Sequence, residues 1–229
     1  MNFGQMKEIV PAMVAGPSQA QRLLDISPTF VGAMLNEAYH KVERAALWKW
    51  SEAEAVLTVV SGSQSPSSQP VDMAIPFMAR NINTRADLVF HDERQRFAHD
   101  DDPAARAGRV SRYGIFSGDL RFFPPASQTE QVRLRYYRTW PDMVLDADEP
   151  EFPETWHDLL TSYAAGKTAL RLQPVAGKFL PESAARPFLE SWEQGLYAMT
   201  QSDRALTTWD KVENHDLTES MWRGESVDW

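Results

Sequence analysis

The sequence predicts an α+β protein: a helical bundle formed by its N- and C-terminal parts, with an inserted antiparallel, sandwich-like β region. Three observations carry that prediction. Apolar residues recur at helical spacing near both ends of the chain. Between them the pattern changes to β-branched and alternating runs separated by Gly, Pro and Ser. The length of 229 residues, 43% hydrophobic and 24% charged, is ordinary for a globular chain able to bury a core.

Each element follows in order. Phe3, Met6, Ile9, Val10 and Met13 suit a short helix over Phe3 to Ala15, which Pro11 is expected to kink or end early. Pro28 and Thr29 open a clearer helix, with Val31, Met34, Leu35, Ala38, Val42 and Ala45 on one stripe, stopping around Trp48-Lys49-Trp50. Ala53 to Val60 reads as a strand. Residues 61–70 are rich in Ser, Gly and Pro and offer no side chain able to anchor a core, so a mobile loop is expected before strand-like sequence resumes at Val71. Short extended pieces follow at Arg80 to Asn83 and Ala86 to Phe90, then a polar loop from His91 to Asp102.

The strongest β signal comes next. Val110 to Phe116 and Asp119 to Phe123 flank Ser117-Gly118, a tight hairpin turn, and Pro124-Pro125 close the second strand. Val132, Leu134 and Tyr136 alternate with Arg133, Arg135 and Tyr137, which gives one apolar and one arginine-rich face. Helical spacing returns with Trp156, Leu159, Leu160, Tyr163 and Leu170, preceded by Thr155 and Asp158 as a capping pair. A last helix carries Ala185, Phe188, Leu189, Trp192, Leu196 and Met199, with Pro187 placed in its first turn. The predicted organisation is therefore N-terminal helices over 1–50, the β region over 51–140, an acidic connector with C-terminal helices over 141–205, and an extended tail over 206–229.

Composition excludes several classes of function. The chain has no cysteine, so disulfide scaffolds, thiolate metal sites and cysteine nucleophiles are ruled out. No apolar run is long enough to cross a bilayer, and the N-terminus lacks a signal-peptide pattern, so a soluble protein made in the cytoplasm is expected. The net charge of −9 argues against generic adhesion to nucleic acid or anionic membranes. That charge is uneven: residues 80–138 hold 11 of 17 arginines and no lysine, a local balance of +3 against −12 elsewhere.

Catalytic motifs are weak. Ala165-Gly166-Lys167-Thr168 resembles the end of a phosphate-binding loop, but Thr161 stands where the first glycine is required and the segment lies within a helix. His91-Asp92 and His99 with Asp100 to Asp102 lack the paired-histidine spacing of a zinc site. Asp146, Asp148, Glu149 and Glu151 mimic a calcium loop without its glycine and with Pro150 among the ligands. No Gly-x-Ser-x-Gly elbow is present. No catalytic residue, cofactor or metal site is expected. A carboxylate-based hydrolase of cell-wall sugar is the enzyme alternative, since the separation of paired acids is a spatial fact.

Two stretches stand out instead. Asp142 to Asp158 holds seven acidic residues, Asp142, Asp146, Asp148, Glu149 and Glu151 among them, and no lysine or arginine. With Pro150 and Pro153 it reads as an extended connector, solvated or facing DNA or a neighbour's arginines. The tail carries Trp209, Trp222 and Trp229, large apolar surfaces that belong either against the chain's own domain or against a partner.

In combination and order, these features resemble the head–tail connector (adaptor) proteins of tailed bacteriophages. The resemblance rests on Asn36-Glu37-Ala38-Tyr39 ahead of Trp48-x-Trp50, and on Tyr113-x-Ile115-x-x-Gly118-x-Leu120 running to Pro124-Pro125. It continues with Tyr136-Tyr137 at a strand end and an acidic segment reaching Pro153 and Trp156-His157. It spans roughly Met1 to Leu172, with the serine-rich loop and the tail as departures. The resemblance implies a structural virion protein at the head–tail interface, the neck. Such a protein forms a homo-oligomeric ring, usually of twelve copies, between the portal protein and tail or nozzle proteins, with DNA passing through the lumen and no membrane partner. It implies that Trp209, Trp222 and Trp229 meet the portal or a neighbour, that the acidic strip faces the lumen or an adjacent subunit, and that Arg133, Arg135 and Arg138 face acidic surfaces of neighbours. A tail-completion or nozzle ring is the alternative of the same make-up.

Overall fold

In a computed structural model of the chain, residues 1–15, 28–91, 107–171 and 182–207 are described. The chain divides into two compact units, Met1–Ser51 with Trp140–Trp229, and Glu52–Thr139.

The first unit is helical. Helix α1 spans Phe3–Ala15, α2 Pro28–Ala45, α3 His157–Arg171 and α4 Glu182–Thr207. Helix α1 continues past Pro11 to Ala15 and so does not end early there. An interior proline costs about 3 kcal/mol, but α1 fully buries Phe3, Met6 and Val10, each worth roughly 1.5–3 kcal/mol. Burial wins. Helix α2 buries the stripe Val31, Leu35, Ala38, Tyr39 and Val42. Past its end, Trp48 donates from Nε1 to the Val42 carbonyl at 2.6 Å and stacks on Trp50, which covers a helix-end acceptor left without an amide partner.

Helix α3 is the central element, buried over most of its length. It does not begin with a Thr155–Asp158 cap. A 3₁₀ turn at Glu154–Trp156 precedes it without a side-chain cap, and α3 starts at His157. Leu170, expected on the core stripe, points outward, and Ala169 is buried in its place. Small residues let α4 come close. A Cβ on Gly166 would sit 2.7 Å from Leu189 of α4, and one on Gly195 of α4 would overlap Leu159 of α3. Each helix thus seats a leucine over the other's glycine. Ala165, Gly166 and Thr168 are buried in this packing, and the Lys167 amine lies over the Tyr163 ring.

The second unit is built from strands β1 Glu52–Val59, β2 Met73–Asn81, β3 Ala86–Asp87, β4 Val89–Phe90, β5 Arg112–Phe116, β6 Asp119–Phe123 and β7 Glu130–Arg138. They form a four-stranded sheet in the order β1-β7-β2-β3 and a three-stranded sheet in the order β4-β5-β6. One core joins them, with Leu57, Val59, Val132, Leu134 and Tyr136 from the first and Tyr113, Leu120 and Phe122 from the second. Burial pushes the Tyr113 hydroxyl up to about 12. All pairings are antiparallel except β4 with β5, which is parallel. The chain changes sheets at buried Leu88, between β3 and β4. Strand β2 is longer than the separate pieces expected, and irregular register on either side of Pro76 accommodates its missing amide.

The β5–β6 turn matches expectation: Ser117 and Gly118 have φ of 51° and 87°, the paired positive values of a type I′ hairpin. The serine-rich segment 61–70 places no residue in the core of the unit but is hydrogen-bonded to the second sheet. Gln69 Oε1 accepts the Leu120 amide at 2.9 Å, the Gln64 carbonyl accepts that of Phe122 at 2.7 Å, and Arg121 donates to Ser65 Oγ at 2.6 Å. The segment occupies the free edge of β6, where unpaired amides would otherwise face water or another strand.

Candidate interaction surfaces

The acidic connector is held by one face of α2. Asn36 makes a two-point bond to the backbone of Met143: its Nδ2 donates to the carbonyl and its Oδ1 accepts the amide, both at 3.0 Å. Tyr39 accepts the Glu151 amide at 3.1 Å, and its ring stacks on Trp140 with centroids 4.9 Å apart. His40 bridges Asp142 at 2.6 Å and Glu43 at 2.8 Å, and Glu43 also accepts the Trp140 amide at 2.9 Å. Positions 36, 39, 40 and 43 recur at helical spacing, so these groups share one side of α2. Burial works against charging the His40 ring, but the bonds to Asp142 and Glu43 outweigh it and raise its pKa above 6.5.

The same α2 segment reaches α3. Tyr163 donates to Glu37 at 2.5 Å, and burial followed by this bond holds the Tyr163 hydroxyl well above its ordinary range. Where the connector meets α3, buried His157 bonds the Phe152 carbonyl through Nε2 at 3.0 Å. The four-residue pattern Asn36-Glu37-Ala38-Tyr39 is therefore a clasp, with Ala38 fully buried between its polar arms.

The connector's acids are distributed rather than gathered. Asp142 pairs with His40, and Asp146 with Lys7 of α1. Asp148 accepts the amides of Val144 and Leu145, both at 2.7 Å. Glu149 is exposed and Glu151 half-buried. No cluster of metal-ligating side chains forms among the described residues.

In the second unit, Arg133 and Arg135 project from the outer face of β7 and are matched within the chain. Arg133 meets Glu54 at 3.2 Å and Arg135 meets Glu52 at 2.9 Å, both on neighbouring β1. Arg135 also lies over the Phe77 ring at 5.4 Å, and Phe77 packs on Tyr137. Arg138 ends the strand opposite Met73, beside a Tyr136 hydroxyl that donates to Asp72. Burial, then that bond, raises the Tyr136 hydroxyl above its ordinary range. Trp209, Trp222 and Trp229 lie outside the described residues, as does the polar stretch 92–106. The clasp on the connector was missed at the sequence level, although the polar repeat of Asn36, Tyr39, His40 and Glu43 along α2 was its available signal.

Among the described residues, the connector's Asp142 and Asp146 and the β7 residues Arg133 and Arg135 find partners within their own unit. The chain belongs to the SU10 adaptor protein family, whose model matches residues 1–211. This is a family of phage structural adaptors rather than an enzyme family, and membership places the protein among virion components that contact other phage structural proteins. The match runs beyond Leu172, through α4 to residue 211, and so includes Trp209 of the tail. No curated protein matches the chain. No described helix is long and apolar enough to cross a membrane.

Proposed function

We propose that the protein forms a ring of about twelve copies between the portal and the tail of a tailed phage, extending the channel through which DNA leaves the head. The family match over residues 1–211 carries this reading. The charge of the chain supports it. A channel lining that neutralised phosphates would hold DNA at each basic site, whereas a subunit of net charge −9, with Arg133 and Arg135 already matched by Glu54 and Glu52, offers few such sites. In this reading the role is architectural and uses no cofactor. Asp142, Asp146, Asp148, Glu149 and Glu151 line the lumen or an adjacent subunit, Arg133, Arg135 and Arg138 serve contacts between subunits, and Trp209, Trp222 and Trp229 reach the portal.

Negative-stain microscopy of the pure protein, alone and with the portal protein, tests the assembly, together with gold labelling on virions. Rings and label at the neck are expected. A protein that stays monomeric beside the portal, or a label elsewhere on the virion, overturns the reading.

A further inference from the structure

The acidic connector carries a feature that a solvated linker lacks. Val144 and Leu145 are 72% and 66% exposed, although Met143 just before them is buried. The turn bearing them is locked. Asp148 Oδ2 takes both of their amides at 2.7 Å, and the Asp148 amide donates to the Leu145 carbonyl at 3.0 Å. Its other side is stitched to the start of α1, where Gly4 and Phe3 donate to the carbonyls of Asp146 and Asp148 at 2.9 and 2.8 Å. The fit is close: a Cβ on Gly4 would stand 2.9 Å from the Asp146 Cβ. Two large aliphatic side chains are thus held in water on a turn whose backbone cannot fold them away. Such preorganisation lowers the ordering cost of a contact.

A surface of matching character lies on the outer face of the β1-β7-β2 sheet. Val56, 54% exposed, is in register with Arg133, and Arg133 with Arg80. Beside them the Phe77 and Tyr137 rings pack 4.8 Å apart under Arg135. A guanidinium carries five N–H donors, more than the contacts to Glu54, Glu52 and Asp87 use. The face is an apolar floor bordered by arginine–carboxylate pairs whose guanidiniums keep donors to spare. The turn is an apolar tip bordered by Asp142, Asp146 and Glu149.

We propose that the Val144-Leu145 turn of one copy docks on this sheet face of a second copy, with Asp142, Asp146 and Glu149 meeting Arg80, Arg133 and Arg135. The inference rests on the ring reading above and names its interface. Because tip and receiver are different surfaces of one chain, the contact repeats head to tail until rotation closes it.

The absence of cysteine lets single cysteines report without background. Leu145→Cys and Val56→Cys chains are mixed and joined with a short bismaleimide, and the mixed product is expected to exceed either same-variant product. A Val144→Asp/Leu145→Asp chain is expected to keep the wild-type melting temperature while its assembly midpoint rises at least about tenfold, as for a lost interface anchor. Wild-type rings without the mixed product, or the double variant assembling at wild-type concentrations, overturn this contact and leave the ring reading standing. No wild-type assembly at any concentration, with or without the portal protein, overturns both. Cross-linking of Leu145→Cys to portal or tail protein in place of Val56→Cys assigns the turn to a different chain and also overturns the proposal.

Discussion

Replacing Asn36 with alanine isolates the clasp on the acidic connector. The side chain satisfies both the amide and the carbonyl of Met143, at 3.0 Å each, in a half-buried setting. Leaving a buried polar group unpaired costs roughly 1–3 kcal/mol. Water reaches this site in part, so the low end applies to each group and the pair costs about 2–3 kcal/mol. For a chain of this size that is a fall in melting temperature of roughly 4–12 °C. Helical circular dichroism followed through urea and thermal unfolding measures it. Asn36→Asp is the control: it keeps the acceptor for the Met143 amide but sets a carboxylate oxygen against the Met143 carbonyl, so it should recover nothing over alanine. An Asn36→Ala protein within about 0.5 kcal/mol of wild type, the range of ordinary surface changes, would refute the clasp.

Four further outcomes are expected. Gly166→Ala should destabilise by about 1–2 kcal/mol despite a helix-propensity gain of up to about 1 kcal/mol, since its methyl meets Leu189; adding Leu189→Ala should return part of the loss, and chemical denaturation reads both. Ser117→Asn should stabilise by a few tenths of a kcal/mol, since asparagine tolerates the positive φ at that turn position better than serine. Gln69→Ala should cost about 1–2 kcal/mol by freeing the Leu120 amide, with faster hydrogen exchange at Leu120 as the local readout. His40 has a raised folded pKa, so its contribution is complete below the unfolded value of about 6.5 and fades as pH rises through the folded value. The stability advantage of wild type over His40→Gln should therefore be larger at pH 5.5 than at pH 9 by parallel urea titrations.

Periodicity revealed what local pattern determines. The stripes of α2 and α4 are visible in sequence because burial on a helix repeats with the turn, and the Ser117-Gly118 hairpin is visible because two adjacent residues set its geometry. The connector's role was not visible. Its charges suggested a solvated strip, yet its position is set by backbone groups of Met143 and Glu151 meeting Asn36 and Tyr39, more than 100 residues away. Segment 61–70 escaped for a similar reason. Its anchors, Gln69 and Ser65, are polar groups that hydrogen-bond an edge strand rather than fill a core. Leu170 marks the reverse error: its chemistry says core, but on the last turn of α3 it is Thr168 and Ala169 that face inward. The outward arginines of β7 were legible from alternation, whereas their pairing with Glu52 and Glu54 depends on a strand register that no local pattern encodes.

Where the β unit leaves and rejoins the helical framework, both units close their own ends. Trp140 donates from its indole to Ser51 Oγ at 3.0 Å in the buried helical side, while Glu52 faces Tyr137 in the sheet. Each junction is thus a self-contained seam. The two cores share no residue, so a short glycine bridge from Ser51 to Trp140 is expected to give a helical unit that folds without the sheets. The same two junctions would accept a β unit of different sequence without altering a buried residue of the helical core.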